Sequence, residues 1–251
     1  MLNVEHLTCG YGGEPVVKDV SFRVREGEKL CILGPNGCGK TTLLRALAGL
    51  LPCQGTVEVT GTDLRRIPAR QRARKMALMS QISPAYFDYT VYEAVMLGRY
   101  AHQRGGLLAG ESETDRRAVE ESLRRTGTWE LRDRLVTRLS GGQLQRVFLA
   151  RTFAQEPQII LLDEPTNHLD LRCQAELMDS LRTWVAAGSR CVVGVLHDLS
   201  LALSFADSLL LLDRGGVLVC ERLERFDLAL LDRLYGMDVR GHMRAALRPW
   251  M

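Results

Sequence analysis

Residues Gly34-Pro35-Asn36-Gly37-Cys38-Gly39-Lys40-Thr41 fit the pattern G-x-x-x-x-G-K-[ST], a spacing suited to holding phosphate. The glycines let successive backbone N–H groups turn inward around phosphate oxygens, and a helix starting at the loop's end adds its partial positive charge. In that arrangement Lys40 reaches the outer phosphates, the Thr41 hydroxyl holds magnesium, and Thr42 opens the following helix. Two carboxylates end a later apolar run, Gln158-Ile-Ile-Leu-Leu-Asp163-Glu164. A buried strand ending there places Asp163 at the magnesium water shell and Glu164 where it can polarise an attacking water. A third segment, Leu139-Ser140-Gly141-Gly142-Gln143, has capping-box spacing at Ser140 and Gln143, with Leu144, Val147, Phe148 and Arg151 continuing a helix behind it. Such a helix start is a second anion-binding surface. One nucleotide in one chain does not need two, so the second is expected to complete a site on another copy.

The elements that must position these groups read as strands and helices in alternation. Leu2, Val4 and Leu7, then Val20, Phe22 and Val24, recur at a period near two, with Gly10, Gly12 and Gly13 between them. Lys29 to Leu33 is an apolar strand entering the glycine loop, and Thr42 to Gly49 reads as a helix. From about Pro84 to Gln155 the pattern is helical, with Ser112 and Asp115 as a capping signal before Ala118, Val119 and Leu123. Thr90 to His102 reads as an amphipathic helix that buries Val91, Val95 and Leu97. After Pro157, apolar strands (158–162, 191–196, 208–212) alternate with helices, notably 171–187, which argues a parallel sheet with helical crossovers. Asp213 to Gly216 followed by Val217 to Cys220 reads as a closing hairpin. The tail from Arg240 to Met251 reads as a solvated, partly disordered end.

Composition narrows the function classes. At 251 residues the chain can bury a sizeable core, and 46% hydrophobic with 25% charged residues is ordinary for a soluble globular protein. A net charge of +3 is too small to imply a nucleic-acid partner. Seven scattered cysteines, none in C-x-x-C, argue against a disulfide framework or zinc site and favour a reducing cytosol. The apolar runs are strand-length, far short of the ~20 residues that span a bilayer, and the N-terminus reads as a strand rather than a signal region. Any service to a membrane is therefore expected from its surface.

Together these residues resemble the ATP-binding subunit of an ABC transporter over nearly the whole chain. Gly34 to Thr41 resembles the family's Walker A, Ile159 to Asp163 its Walker B, and Leu139 to Gln143 its signature motif. By the same resemblance Gln81 falls at the Q-loop glutamine, Asp170 at the D-loop aspartate, His197 at the switch histidine, and Tyr11 at the aromatic that stacks on adenine. Leu144 departs from the pattern, standing where relatives often carry arginine or lysine; the five signature residues are intact. The resemblance implies an α/β fold: a P-loop NTPase (RecA-like) core with an N-terminal antiparallel β subdomain and an inserted α-helical subdomain. The expected division is 1–83 and 156–251 for β subdomain plus core, and 84–155 for the helical insert, in one ATPase domain spanning 1–251.

The implied chemistry is hydrolysis of ATP with Mg2+. Glu164 is the general base, His197 holds the γ-phosphate, Lys40 binds phosphate, and Gln81 with Thr41 and Asp163 completes the magnesium and water geometry. The implied assembly is a head-to-tail homodimer sandwiching two ATPs, each between one chain's loop and Ser140 to Gln143 of the other, with Asp170 at the seam. Thr90 to His102, the stretch Thr166-Asn-His-Leu-Asp170, Val195-Leu-His197-Asp-Leu and Tyr235-Gly236 are similar to ATPases of iron–siderophore, haem and cobalamin importers. That likeness implies separate polytopic permease subunits docking near a groove over Gln81 to His102, and indirectly a substrate-binding protein. It also implies a peripheral place on the cytoplasmic face of the membrane. Two alternatives remain at this point: an ABC ATPase moving another cargo, and a soluble ABC ATPase outside transport.

Overall fold

Alternating apolar residues give the first strands one buried face, and short apolar runs give the later strands two. A computed structural model of the chain describes residues 1–80, 88–103, 110–167 and 169–248. The first elements are β1 (Leu2–Cys9), β2 (Val17–Val24), β3 (Lys29–Leu33), α1 (Lys40–Leu47), β4 (Cys53–Val59) and β5 (Thr62–Asp63). Then come α2 (Ala69–Lys75), β6 (Met76–Met79), α3 (Val91–Met96), α4 (Glu113–Arg125), α5 (Gly141–Ala154) and β7 (Ile159–Asp163). The chain continues through α6 (Leu171–Ala186), β8 (Cys191–Val195), α7 (Leu199–Phe205), β9 (Ser208–Asp213) and β10 (Gly216–Arg222). It ends in α8 (Ala229–Tyr235) and α9 (Val239–Leu247).

Two sheets result. An antiparallel sheet runs β2-β1-β4-β5, and a second sheet runs β10-β9-β3-β8-β7-β6, parallel except for the β9–β10 hairpin. The expected α/β class, antiparallel sheet and P-loop core are therefore present. One face of the parallel sheet (Leu30, Ile32, Ile159, Leu161, Val193) packs with α1 and the antiparallel sheet. The other face (Leu33, Ile160, Leu162, Val192) packs with α5, α6 and α7. Burial on both faces explains why β7 and β8 are uninterrupted apolar runs rather than alternating ones. A third core joins α3, α4 and α5 through Val91, Val95, Val119, Leu123 and Val147. Among the described residues no helix is long and apolar enough to cross a membrane.

Two expectations need correction. Helix α1 starts at Lys40 rather than Thr42, because Gly39 at φ 105 turns the chain straight into the helix with no side-chain cap. The stretch from Thr90 is not one helix: α3 ends at Met96 and tightens into a 3-10 turn over Leu97–Arg99. Val91 and Val95 are buried as expected, but Leu97 is 43% exposed. Gly98 takes the inward place instead, so close to α5 that a Cβ there would meet the Arg151 carbonyl oxygen at 2.4 Å. In the tail, Asp238 caps α9 by accepting from the Gly241 N–H at 2.8 Å, and the largely exposed helix runs to Leu247; residues 249–251 lie outside the described residues.

Candidate phosphate-binding site

The glycine loop joins the C-terminal end of β3 to the first turn of α1, so its N–H groups gather at a helix N-terminus. Gly34 is compelled by crowding: a Cβ there would lie 2.2 Å from the Leu212 carbonyl oxygen and 2.7 Å from Cys38 Sγ. Lys40 is buried, and its Nζ donates to the carbonyls of Gly34 at 2.7 Å and Pro35 at 2.9 Å. The lysine thus arches over its own loop with its charge held at the loop's mouth. A small cleft of about 170 Å³ opens there, lined by Val16, Asn36, Gly37, Gly39, Lys40, Thr41, Thr42 and Glu164.

Strand β7 delivers the carboxylates to this cleft. Asp163 is its last residue, buried, and its Oδ1 accepts from the Thr41 hydroxyl at 2.9 Å. Burial pushes the Asp163 carboxyl up, against the Thr41 hydrogen bond, and the neighbouring Glu164 charge pushes the same way. Glu164 leaves the strand at φ 54, a left-handed conformation that costs a non-glycine residue on the order of 1–2 kcal/mol. Its N–H donates to Val195 O at 3.1 Å, which ties the kink to the end of β8. The side chain is held twice: Oε1 pairs with His197 Nε2 at 2.5 Å, and Oε2 accepts from Asn167 Nδ2 at 2.7 Å. The structure therefore brings Lys40, Thr41, Asp163, Glu164 and His197 together at the C-terminal edge of the parallel sheet.

Ser140 to Gln143 lie elsewhere. Ser140 caps α5 in a full capping box: the Gln143 N–H donates to Ser140 Oγ at 3.3 Å, and the Ser140 N–H to Gln143 Oε1 at 3.0 Å. None of the four lines the phosphate cleft. Gly142 is instead pressed to α6, where a Cβ would lie 2.5 Å from Cys173 Sγ. Asp170 caps α6 in the same neighbourhood, accepting from the Cys173 N–H at 2.8 Å, a bond that holds its carboxyl below the usual range. Tyr11 is 59% exposed, its hydroxyl accepting from Arg45 Nη1 of α1 at 3.1 Å, and it does not line the cleft. Cys38 is buried, and burial pushes its thiol up despite the nearby Lys40 charge. Gln81 lies outside the described residues.

Two supporting residues were not placed at the loop by the sequence, although Tyr235 belongs to the Tyr235-Gly236 pair noted above. Buried Gln145 of α5 donates to Pro165 O at 2.5 Å and so fastens the Ser140 helix to the loop after Glu164. Tyr235 of α8 sits against the glycine loop: burial and Cys38 push its phenol up while the Gly34 N–H acts the other way. A glutamine on a helix and a tyrosine two hundred residues downstream carry no local pattern that assigns them to the loop.

Comparison with known proteins agrees with this geometry. The family model described as ABC transporter matches residues 17–167. The achromobactin transport ATP-binding protein of Dickeya dadantii is 39% identical over 236 residues, covering 93% of this chain and 87% of that protein. The ferric enterobactin transport ATP-binding protein of Escherichia coli is 37% identical over 238 residues, covering 94% and 87%. Among solved structures, an inward-facing ABC transporter described as of metal-chelate type superposes with a TM-score of 0.81 at 29% identity, covering 94% of this chain and 88% of that one. By motif, fold and identity along its length, the chain belongs to the ABC transporter family, as an ATP-binding subunit that hydrolyses ATP.

Proposed function

We propose that this chain is the ATPase subunit of an importer for a metal chelate of the ferric siderophore, haem or cobalamin class. It would work with separate polytopic membrane subunits and, through them, a substrate-binding protein, from the cytoplasmic face of the membrane. The observation that carries the cargo class is similarity along nearly the whole chain to proteins named for achromobactin and ferric enterobactin transport. The division into 1–83 plus 156–251 and a helical insert at 84–155 belongs to this proposal, supported by the separate core of α3, α4 and α5.

The donor set suits Mg2+. The Thr41 hydroxyl and Asp163 carboxylate are hard oxygen donors 2.9 Å apart, and among the described residues no cluster of three or more His, Cys, Asp or Glu side chains could hold a metal alone. That is the pattern of an ion shared between a carboxylate and substrate phosphates. When bound, the ion neutralises charge on the outer phosphates. Lys40 exchanges its two loop carbonyls for phosphate oxygens, and Gly37 and Gly39 to Thr42 supply N–H donors and side chains around them. Glu164 accepts the proton of the attacking water, oriented by Asn167. His197 leaves Glu164 to hold the γ-phosphate. Gln81 and Tyr11 are assigned by resemblance, to the water and magnesium geometry and to the adenine face respectively.

The same site is only half a site. A cleft of about 170 Å³ is smaller than the ~300 Å³ at which ligand pockets usually start, and the second helix start, exposed at Ser140 and Gly141, does not line it. A second copy placed head to tail would bring its Ser140 to Gln143 over the bound nucleotide, with Asp170 at the seam. Closure that needs nucleotide and opening after hydrolysis would supply the stroke. In cells carrying Lys40→Ala, uptake of labelled ferric siderophores, haem and cobalamin is the direct test. Loss of one of them is expected, and undiminished uptake of all of them contradicts the cargo class.

A further inference from the structure

Four cationic side chains, Arg70, Arg72, Arg74 and Lys75, crowd the seven-residue helix α2. Two have local explanations. Lys75 Nζ donates to Thr60 Oγ1 at 2.8 Å, and the Arg72 guanidinium lies against Gly49, where a Cβ would meet Nη1 at 2.8 Å. The other two converge. Arg70 Nε and Arg74 Nε both donate to the carbonyl oxygen of Ala101, at 2.9 and 2.8 Å. Two exposed guanidinium groups are thereby held side by side, with no carboxylate bridging them among the described residues. Residues 81–87 and 104–109 contain no acidic side chain that could do so. Burial lowers the His102 imidazole and the Arg99 and Arg74 charges act with it, while the Gln155 carbonyl and Glu156 act the other way. Like charges fixed at close range repel, and the backbone carbonyl occupies only their Nε–H donors. An anion that engaged both guanidinium groups through their Nη donors would relieve that repulsion.

The surroundings indicate what carries the anion. Tyr100, adjacent to the shared carbonyl, is 60% exposed, and Leu97 stands outward one turn earlier. Exposed tyrosine and leucine beside arginines make an apolar patch with a charged anchor, the composition of a protein interface. We propose that Arg70 and Arg74 clamp an aspartate or glutamate on a segment of the membrane subunit that lies across Leu97 and Tyr100. This rests on the reading that the chain docks to membrane subunits, and names the chemistry of the docked segment.

Carbodiimide coupling of the detergent-purified complex carrying Arg74→Lys tests it, because an amine in contact with a carboxylate forms an amide with loss of water. The expected product joins position 74 to an aspartate or glutamate of the membrane subunit. Arg70→Glu with Arg74→Glu should weaken co-elution of the two subunits at least tenfold while the ATPase subunit alone turns over ATP as before. Co-elution of the unaltered subunits reports on docking itself, so its failure is distinct from failure of the clamp. A complex that forms yet gives no such cross-link, or survives the double reversal unchanged, overturns the proposal. So does a double reversal that abolishes binding to phosphatidylglycerol vesicles but not to the membrane subunit, which would assign the arginines to lipid phosphate.

Discussion

Replacing Gly34 by alanine tests how the loop is shaped, because its backbone is crowded by two neighbours rather than freed by an unusual φ. The new Cβ would start 2.2 Å from the Leu212 carbonyl oxygen, whereas ordinary contact begins at 3.4 Å, so the loop or β9 must move by about 1.2 Å. Cys38 Sγ, at 2.7 Å, blocks the alternative direction of escape. Overpacking of this kind costs roughly 1–3 kcal/mol, and each kcal/mol lowers the melting temperature by about 2–4 °C in a chain of this size. The effect on chemistry is larger, since a displacement of about 1 Å at a site that works by positioning costs roughly a hundredfold in rate. Thermal melting, titration with a fluorescent ATP analogue and phosphate release should all be measured. Gly61→Ala is the control: its φ of 78 gives it a backbone penalty of about 1–2 kcal/mol, but nothing lies within 4 Å and the phosphate cleft is remote from it. If Gly34→Ala melts, binds and turns over like the unaltered protein, the argument that β9 and Cys38 fix the loop is wrong.

Two further outcomes follow from the helical cluster. Arg99 is buried and donates to Asp115 at 2.9 Å, Ala154 O at 2.7 Å and Glu156 at 2.5 Å, so Arg99→Ala strands a buried carboxylate and should destabilise by about 3–5 kcal/mol; a loss below about 1 kcal/mol in urea unfolding would count against this. Burial pushes the Asp115 carboxyl up, but hydrogen bonds from Ser112 and Arg99 outweigh it and the net shift is downward. Its stabilisation is therefore fully present above the usual aspartate value near ~4 and lost as pH falls through the lowered one. The stability gap between unaltered protein and Asp115→Asn should shrink on acidification below that range, and a gap that widens would reverse the assigned sign.

The sequence made the site legible where backbone geometry or strand polarity sets it. A glycine loop between strand and helix, two acids after an apolar run and a capping box are local patterns, and each stands where its pattern placed it. Where the deciding contact is remote, the pattern was silent. Leu97 fits a buried helical position by spacing, yet Gly98 packs against the Arg151 carbonyl and the turn tightens, sending Leu97 outward. Gln145 and Tyr235 support the site through contacts to Pro165 and Gly34 that no neighbouring residue announces. The left-handed Glu164 is similarly unannounced, since the contacts that tie it down, to the Val195 carbonyl at the end of β8, His197 and Asn167, are not written in its own neighbourhood of apolar strand.

The claim on which the account turns is that one chain holds half of the nucleotide site. Glu164→Gln removes the proposed base while keeping a side chain of the same size, so bound ATP should persist. Its mass in solution, by light scattering with and without ATP and Mg2+, is the most direct measurement. A monomer without nucleotide that becomes a dimer carrying two ATPs is the predicted result. A monomer that binds one ATP tightly and stays a monomer would contradict the composite site.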